Sequence, residues 1–93
     1  MIGSFRDKET ERIASGEFSR RFPAEIQIRA KALLDRLRAA SSLDDLTVPR
    51  SLRLEKLKGM RRGQFSIRVN TQYRICFFWI DNEALHVELT DYH

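Results

Sequence analysis

Hydrophobic positions change period once along this chain, dividing it into a helical first half and a stranded second half. Asp7 stands before a short helical run through Thr10-Glu11-Arg12-Ile13, and Gly16 follows it. A side-chain N-cap in front and a glycine behind bracket a first helix. Pro23 opens a stronger helix extending to about Ala40. Proline is tolerated in the first turn because its missing N–H falls where a helix has no partner for one. Within that helix Ile26, Ala30, Leu33, Leu34 and Leu37 recur at helical spacing and form one apolar stripe. Gln27, Lys31, Asp35 and Arg38 fall on the other side and read as a solvated face.

Ser41-Ser42 ends this helix, and Leu43 to Pro49 reads as a connection with a helical turn at Leu43-Asp44-Asp45-Leu46. From there the period becomes 2. Leu52, Leu54 and Leu57 outline a first strand approaching Gly59, and Phe65, Ile67 and Val69 alternate with Gln64, Ser66 and Arg68 as a half-buried strand. Asn70-Thr71-Gln72 is a hairpin connection. Tyr73 to Ile80 is apolar on both faces apart from Arg74, which predicts the central strand. After a turn at Asp81-Asn82-Glu83, Leu85, Val87 and Leu89 alternate with His86, Glu88 and Thr90. The opening Ile2 to Phe5 predicts an edge strand. Helices followed by hairpin-linked strands indicate an α+β fold, two N-terminal helices packed on one face of an antiparallel β-sheet.

Strand alternation also sorts side chains between faces. If Phe65, Ile67, Val69, Ile75, Phe77, Leu85, Val87 and Leu89 face the helices, then Ser66, Arg68, Arg74, Cys76, Glu88 and Tyr92 share the opposite surface. The loop Lys56 to Gly63 would lie at its margin, with Gly59 and Gly63 permitting tight turns.

Composition narrows the class. At 93 residues, 42% apolar and 32% charged, the chain fits one globular domain spanning residues 1–93. The single cysteine, Cys76, excludes an internal disulfide framework and a cysteine-based zinc site. Two histidines and no tight carboxylate cluster give no metal site, and no cofactor is expected. There is no signal-peptide pattern and no apolar run long enough to span a bilayer, so the expected location is the cytoplasm, with no membrane partner. The net charge of +4 is unevenly spread. From Arg50 to Arg74 there are eight basic residues against one acid, Glu55, so the remainder of the chain is net negative. Such a focus attracts a polyanion and speeds its encounter.

On the proposed surface Arg68 and Arg74 can hold phosphate oxygens, and Lys58 can place charge where phosphoryl transfer develops it. The closing Asp91-Tyr92-His93 supplies groups for general acid–base work, and Glu88 is placed to orient one of them. RNA carries its own nucleophile, the 2′-hydroxyl. Strand cleavage then needs a base, charge stabilisation and an acid, and a tyrosine ring can stack on a base. The terminal triplet is therefore expected to form one wall of an RNA-cleaving site. Taken singly, each residue also has a structural reading: arginines on strands pair with acids, Tyr92 packs, His86 lies on the surface.

The run Leu54-Glu55-Lys56-Leu57-Lys58-Gly59-Met60-Arg61-Arg62-Gly63-Gln64-Phe65-Ser66-Ile67-Arg68-Val69-Asn70, then Gln72-Tyr73-Arg74-Ile75-Cys76-Phe77 and the closing Asp91-Tyr92-His93, resembles the HigB toxins. These are the plasmid-maintenance-killer branch of the RelE/ParE superfamily of type II toxin–antitoxin systems. The resemblance covers essentially the whole chain. It implies a RelE-like fold and a metal-independent endoribonuclease that cuts messenger RNA in the A site of the 70S ribosome. It also implies neutralisation by a HigA-type helix-turn-helix antitoxin, with operator DNA contacted only through that antitoxin. The positions associated with activity correspond to Lys58, Arg74, Asp91, Tyr92 and His93, with Lys56, Arg61, Arg62 and Arg68 expected to guide RNA or ribosome backbone. Glu55 departs from the pattern: some members carry a catalytic histidine there, so the general base is open among Glu55, Tyr92 and His93. A ParE-like inhibitor of DNA gyrase and a non-toxic antitoxin-binding descendant are the alternative functions.

Overall fold

A computed structural model describes residues 1–92 of the chain. Its first helix, α1 (Lys8–Ala14), begins where Asp7 accepts a 2.7 Å hydrogen bond from the Thr10 N–H. It ends just before Gly16, whose φ of +86° suits a residue without a side chain. The second helix, α2 (Ala24–Ala39), starts directly after Pro23. Four strands then form one antiparallel sheet in sequence order: β1 (Glu55–Lys56), β2 (Gln64–Arg68), β3 (Tyr73–Ile80) and β4 (Glu83–Asp91). The expected α+β architecture is thus the observed one. Among the described residues, no helix is long and apolar enough to cross a membrane.

The apolar stripe of α2 packs against the inner face of the sheet, where Ala30, Leu34 and Leu37 meet Ile67, Ile75 and Phe77, all fully buried. Burying such side chains stabilises the fold by about 1.5–3 kcal/mol each. Phe77 sits between rings, stacked on Phe65 at 6.3 Å and edge-on to Trp79 at 6.3 Å. The β2–β3 hairpin closes through the Asn70 side chain, whose Oδ1 accepts from the N–H groups of Gln72 and Tyr73 at 2.8 and 2.7 Å. The β3–β4 hairpin turns on Asp81 and Asn82, both at positive φ, as a two-residue turn matched to sheet twist requires.

Four details differ from the sequence expectations. Gln27 is buried rather than solvated: it accepts from Ser19 N–H at 2.7 Å and donates to the carbonyls of Ser19 and Phe22 at 2.6 and 2.7 Å. It clamps the segment between the helices. Gln27→Ala is expected to cost about 1–3 kcal/mol, since it strands those buried groups, read as a lower melting temperature. Leu52 belongs to a single 3₁₀ turn, Arg50–Leu52, and the first strand shortens to two residues.

In β4, His86 adopts φ +53° and the pairing with β3 slips between Cys76 and Phe78. His86 and Val87 together stand opposite Phe77, a β-bulge that inverts the alternation. Leu85, expected towards the helices, therefore pairs with Phe78 on the other face, and Ala84 takes the core position. The opening segment pairs along β4, but in parallel, through bridges of Ile2 to Ala84 and Phe5 to Val87.

Candidate RNA-binding and cleavage site

The outer face of the sheet gathers Ser66, Arg74, Cys76 and Glu88 in register, since Ser66 opposes Cys76, Arg68 opposes Arg74, and Cys76 opposes Glu88. Arg74 is its fixed point. Its side chain is only 11% exposed, and its Nε donates to Ser66 Oγ at 2.7 Å while Nη2 donates to the Arg53 carbonyl at 2.6 Å. Arg53 itself sits at φ +46°, a left-handed conformation that few non-glycine residues adopt. It caps the 3₁₀ turn and aims its carbonyl at the guanidinium. Two acceptors on different elements thus orient Arg74, and neither Ser66 nor Arg53 had been singled out by sequence reasoning. Strand alternation placed Ser66 on the right face, which is the one signal that pointed to it. Nothing in the sequence marks Arg53, because its contribution comes from the backbone.

Two further groups adjoin Arg74. Its guanidinium carbon lies 5.9 Å from the centroid of the Tyr92 ring, within cation–π range. Glu55 Oε1 stands 4.0 Å from Nη1, with its side chain half exposed. A pair this long and this wet contributes little binding energy. Tyr92 is tied down by its backbone, its N–H donating to the Gln72 carbonyl at 2.8 Å, and the Gln72 amide donates to Asp91 Oδ2 at 2.9 Å. Asp91 thereby fastens the end of β4 to the β2–β3 hairpin. His93 lies outside the described residues.

The basic residues divide by what they touch. Lys56, Lys58 and Arg62 are exposed, and among the described residues none of their side chains has an ion-pair or hydrogen-bond partner. Lys58 precedes the 3₁₀ turn Gly59–Arg61, in extended backbone. Arg61 is different: its Nη1 bonds both Glu88 Oε1 and Gln64 Oε1 at 3.1 Å. Glu88 also lies 3.7 Å from Arg6 Nε. The expected role of Glu88 as an orienter of Tyr92 or His93 gives way to this pairing, because two guanidiniums hold the carboxylate on the Arg61 side. Cys76 is fully buried beneath these charges. Burial pushes its thiol up to about 11, with Arg61 and Arg74 pulling it down and Glu88 pushing it up. It stays protonated at neutral pH and is no nucleophile.

The chain matches the family model of the RelE-like toxins of the type II toxin–antitoxin system HigB over residues 3–93. The chain belongs to the HigB-like toxin family. Toxin HigB-1 of Vibrio cholerae serotype O1 is 38% identical over 90 residues, covering 96% of this chain and 95% of that protein. The Endoribonuclease HigB of Proteus vulgaris is 30% identical over 93 residues, spanning both chains in full. This HigB-like toxin also shares its fold with a chain of the YoeB–YefM complex from Staphylococcus aureus, at a TM-score of 0.61 and 17% identity, covering 100% of this chain and 98% of that one. As a toxin of a type II system, it has an antitoxin as its partner.

Proposed function

We propose that this HigB-like toxin is an endoribonuclease acting, as one domain, on messenger RNA in the A site of the ribosome. The observation that carries this reading is the Arg74 guanidinium, held by Ser66 and Arg53 beneath the Tyr92 ring and near a margin of unpartnered cations. Fixed positive charge of this kind favours a phosphate that gains negative charge as it reacts. The Proteus vulgaris relative, named an endoribonuclease, supports the same reading.

In the proposed reaction the 2′-hydroxyl attacks the adjacent phosphorus and the bond to the 5′ oxygen breaks. The products are a 2′,3′-cyclic phosphate and a 5′-hydroxyl. The attacking oxygen gives its proton to a base drawn from Glu55, Tyr92 or His93, and a second of these groups returns a proton to the leaving oxygen. Lys58 and Arg74 stabilise the pentacoordinate phosphate. Since the nucleophile belongs to the substrate, no metal-bound water is required. Lys56, Arg61, Arg62 and Arg68 steer RNA or ribosome backbone, Arg61 with the least free charge because Glu88 engages it. We place the protein in the cytoplasm, restrained by a HigA-type helix-turn-helix antitoxin through which alone it meets operator DNA.

Primer extension on purified 70S ribosomes programmed with messenger RNA tests this directly, and new 5′ ends within the A-site codon are expected. Growth arrest on induction without such ends would favour a gyrase inhibitor instead. No arrest at all would favour a non-toxic antitoxin binder.

A further inference from the structure

A second cluster of cationic groups lies beyond the hairpin end of the sheet, and only one of its members belongs to the surface described above. Arg29 projects from α2 and donates through Nε to the Val69 carbonyl. Arg68, at the end of β2, donates through Nε to the next carbonyl, that of Asn70, at 3.1 Å. Consecutive carbonyls of one connection therefore anchor two guanidiniums, each by its inner nitrogen. Among the described residues, neither arginine has a carboxylate within ion-pair distance, and no other hydrogen bond engages their outer amino groups. Both line a polar cavity of about 320 Å³ together with Ser51, Asn70 and Thr71.

The geometry points to a second phosphate subsite, in which Arg29 and Arg68 grip one RNA backbone phosphate next to the one held at Arg74. Two like charges brought to one cavity repel each other unless an anion occupies it, and guanidiniums fixed through Nε present their remaining N–H groups in the fork that suits phosphate oxygens. Ser51 adds a hydroxyl donor to the same wall. Arg68 and Arg74 are direct partners across the β2–β3 ladder, so one strand of RNA can lay neighbouring phosphates on both. An acidic protein segment offers single carboxylates with no such fixed repeat. Arg29 lies within the helical half of the chain, outside the basic window from Arg50 to Arg74.

This subsite rests on the nuclease reading above, and the phosphate belongs either to messenger RNA or to ribosomal RNA. The test is the binding of labelled toxin to 70S ribosomes over a salt series, with and without messenger RNA in the A site. Replacing Arg29→Gln is expected to weaken binding several-fold and to reduce the slope of log K against log salt by about 0.7–0.9, the value for one lost phosphate contact. Arg29→Lys should keep most of that slope, and Arg38→Gln, an exposed arginine of the same helix, should keep all of it. A change confined to programmed ribosomes assigns the phosphate to messenger RNA; a change in both arms assigns it to ribosomal RNA. An unchanged slope for Arg29→Gln in both arms overturns the subsite. So does an Arg29→Lys variant as impaired as Arg29→Gln, because the loss would then follow the Val69 anchor rather than charge. An Arg29-dependent hold on a polyglutamate peptide without one on ribosomes would likewise overturn it in favour of an acidic protein segment. If the unaltered toxin leaves messenger RNA uncut while Arg29→Gln still lowers the slope, the nuclease reading fails and the phosphate contact stands.

Discussion

Lys58→Ala is expected to slow messenger RNA cleavage on programmed ribosomes by about 100- to 1,000-fold, the loss typical of removing one group that stabilises developing charge. The structure makes this substitution a clean one. Lys58 is exposed, precedes a 3₁₀ turn with extended backbone, and holds no other described residue. Its loss should leave stability within about 0.5 kcal/mol, as for other surface changes away from special features. Thermal melting and primer extension on the same preparation therefore separate chemistry from folding. A variant that melts normally and cleaves within a few-fold of the parent would remove Lys58 from the mechanism. Arg74→Ala is a less discriminating probe. It also strands the Ser66 hydroxyl and the Arg53 carbonyl, so reduced activity would mix two causes.

Phe77→Ala should be the most damaging change to the fold. The ring is fully buried on the central strand and touches both Phe65 and Trp79. Truncating a buried phenylalanine costs about 3–5 kcal/mol, against a total stability of about 5–15 kcal/mol for a domain. The melting midpoint is expected to fall by at least about 12 °C, given about 4–8 °C per kcal/mol at this size. Calorimetry or circular dichroism reads this directly, and a drop below about 4 °C would mean the sheet closes around the gap. Phe77→Leu, which keeps most of the volume, should recover more than half of the loss.

The elements that sequence disclosed best were those set by local chemistry. Asp7, Pro23 and the stripe from Ile26 to Leu37 specify their helices through capping and period, with no help from distant residues. The Asn70 hairpin and the strand Tyr73 to Ile80 are similarly local. What escaped depended on contacts between elements that hydrophobic period does not encode. Gln27 carries a polar side chain at a position that period assigns to solvent, yet its partners Ser19 and Phe22 turn it inward. The bulge at His86 shifts the alternation of β4 by one residue, so Leu85 and Ala84 exchange faces. Of the site, the shared surface of Arg68, Arg74 and Tyr92 followed from period-2 counting. The parts that aim Arg74, a serine hydroxyl and a backbone carbonyl, carry no distinctive residue pattern. Arg29 is an ordinary helical arginine until α2 is docked beside Val69.

The parallel bridges between the opening segment and β4 bear on when a newly made toxin becomes dangerous. Ser4 accepts from the His86 N–H and Thr10 from the Leu89 N–H, contacts that span 82 and 79 residues. Closing loops of that size delays the reward for forming them, and chains dominated by such distant pairings fold slowly. On the ribosome, α1 and α2 emerge early but their sheet cannot be finished before β4 is made. The Arg74 surface needs the same strand, because Tyr92 and Glu88 arrive with it. Until β4 pairs, Arg74 therefore lacks its Tyr92 neighbour, and the site stays unassembled while the helices are already formed.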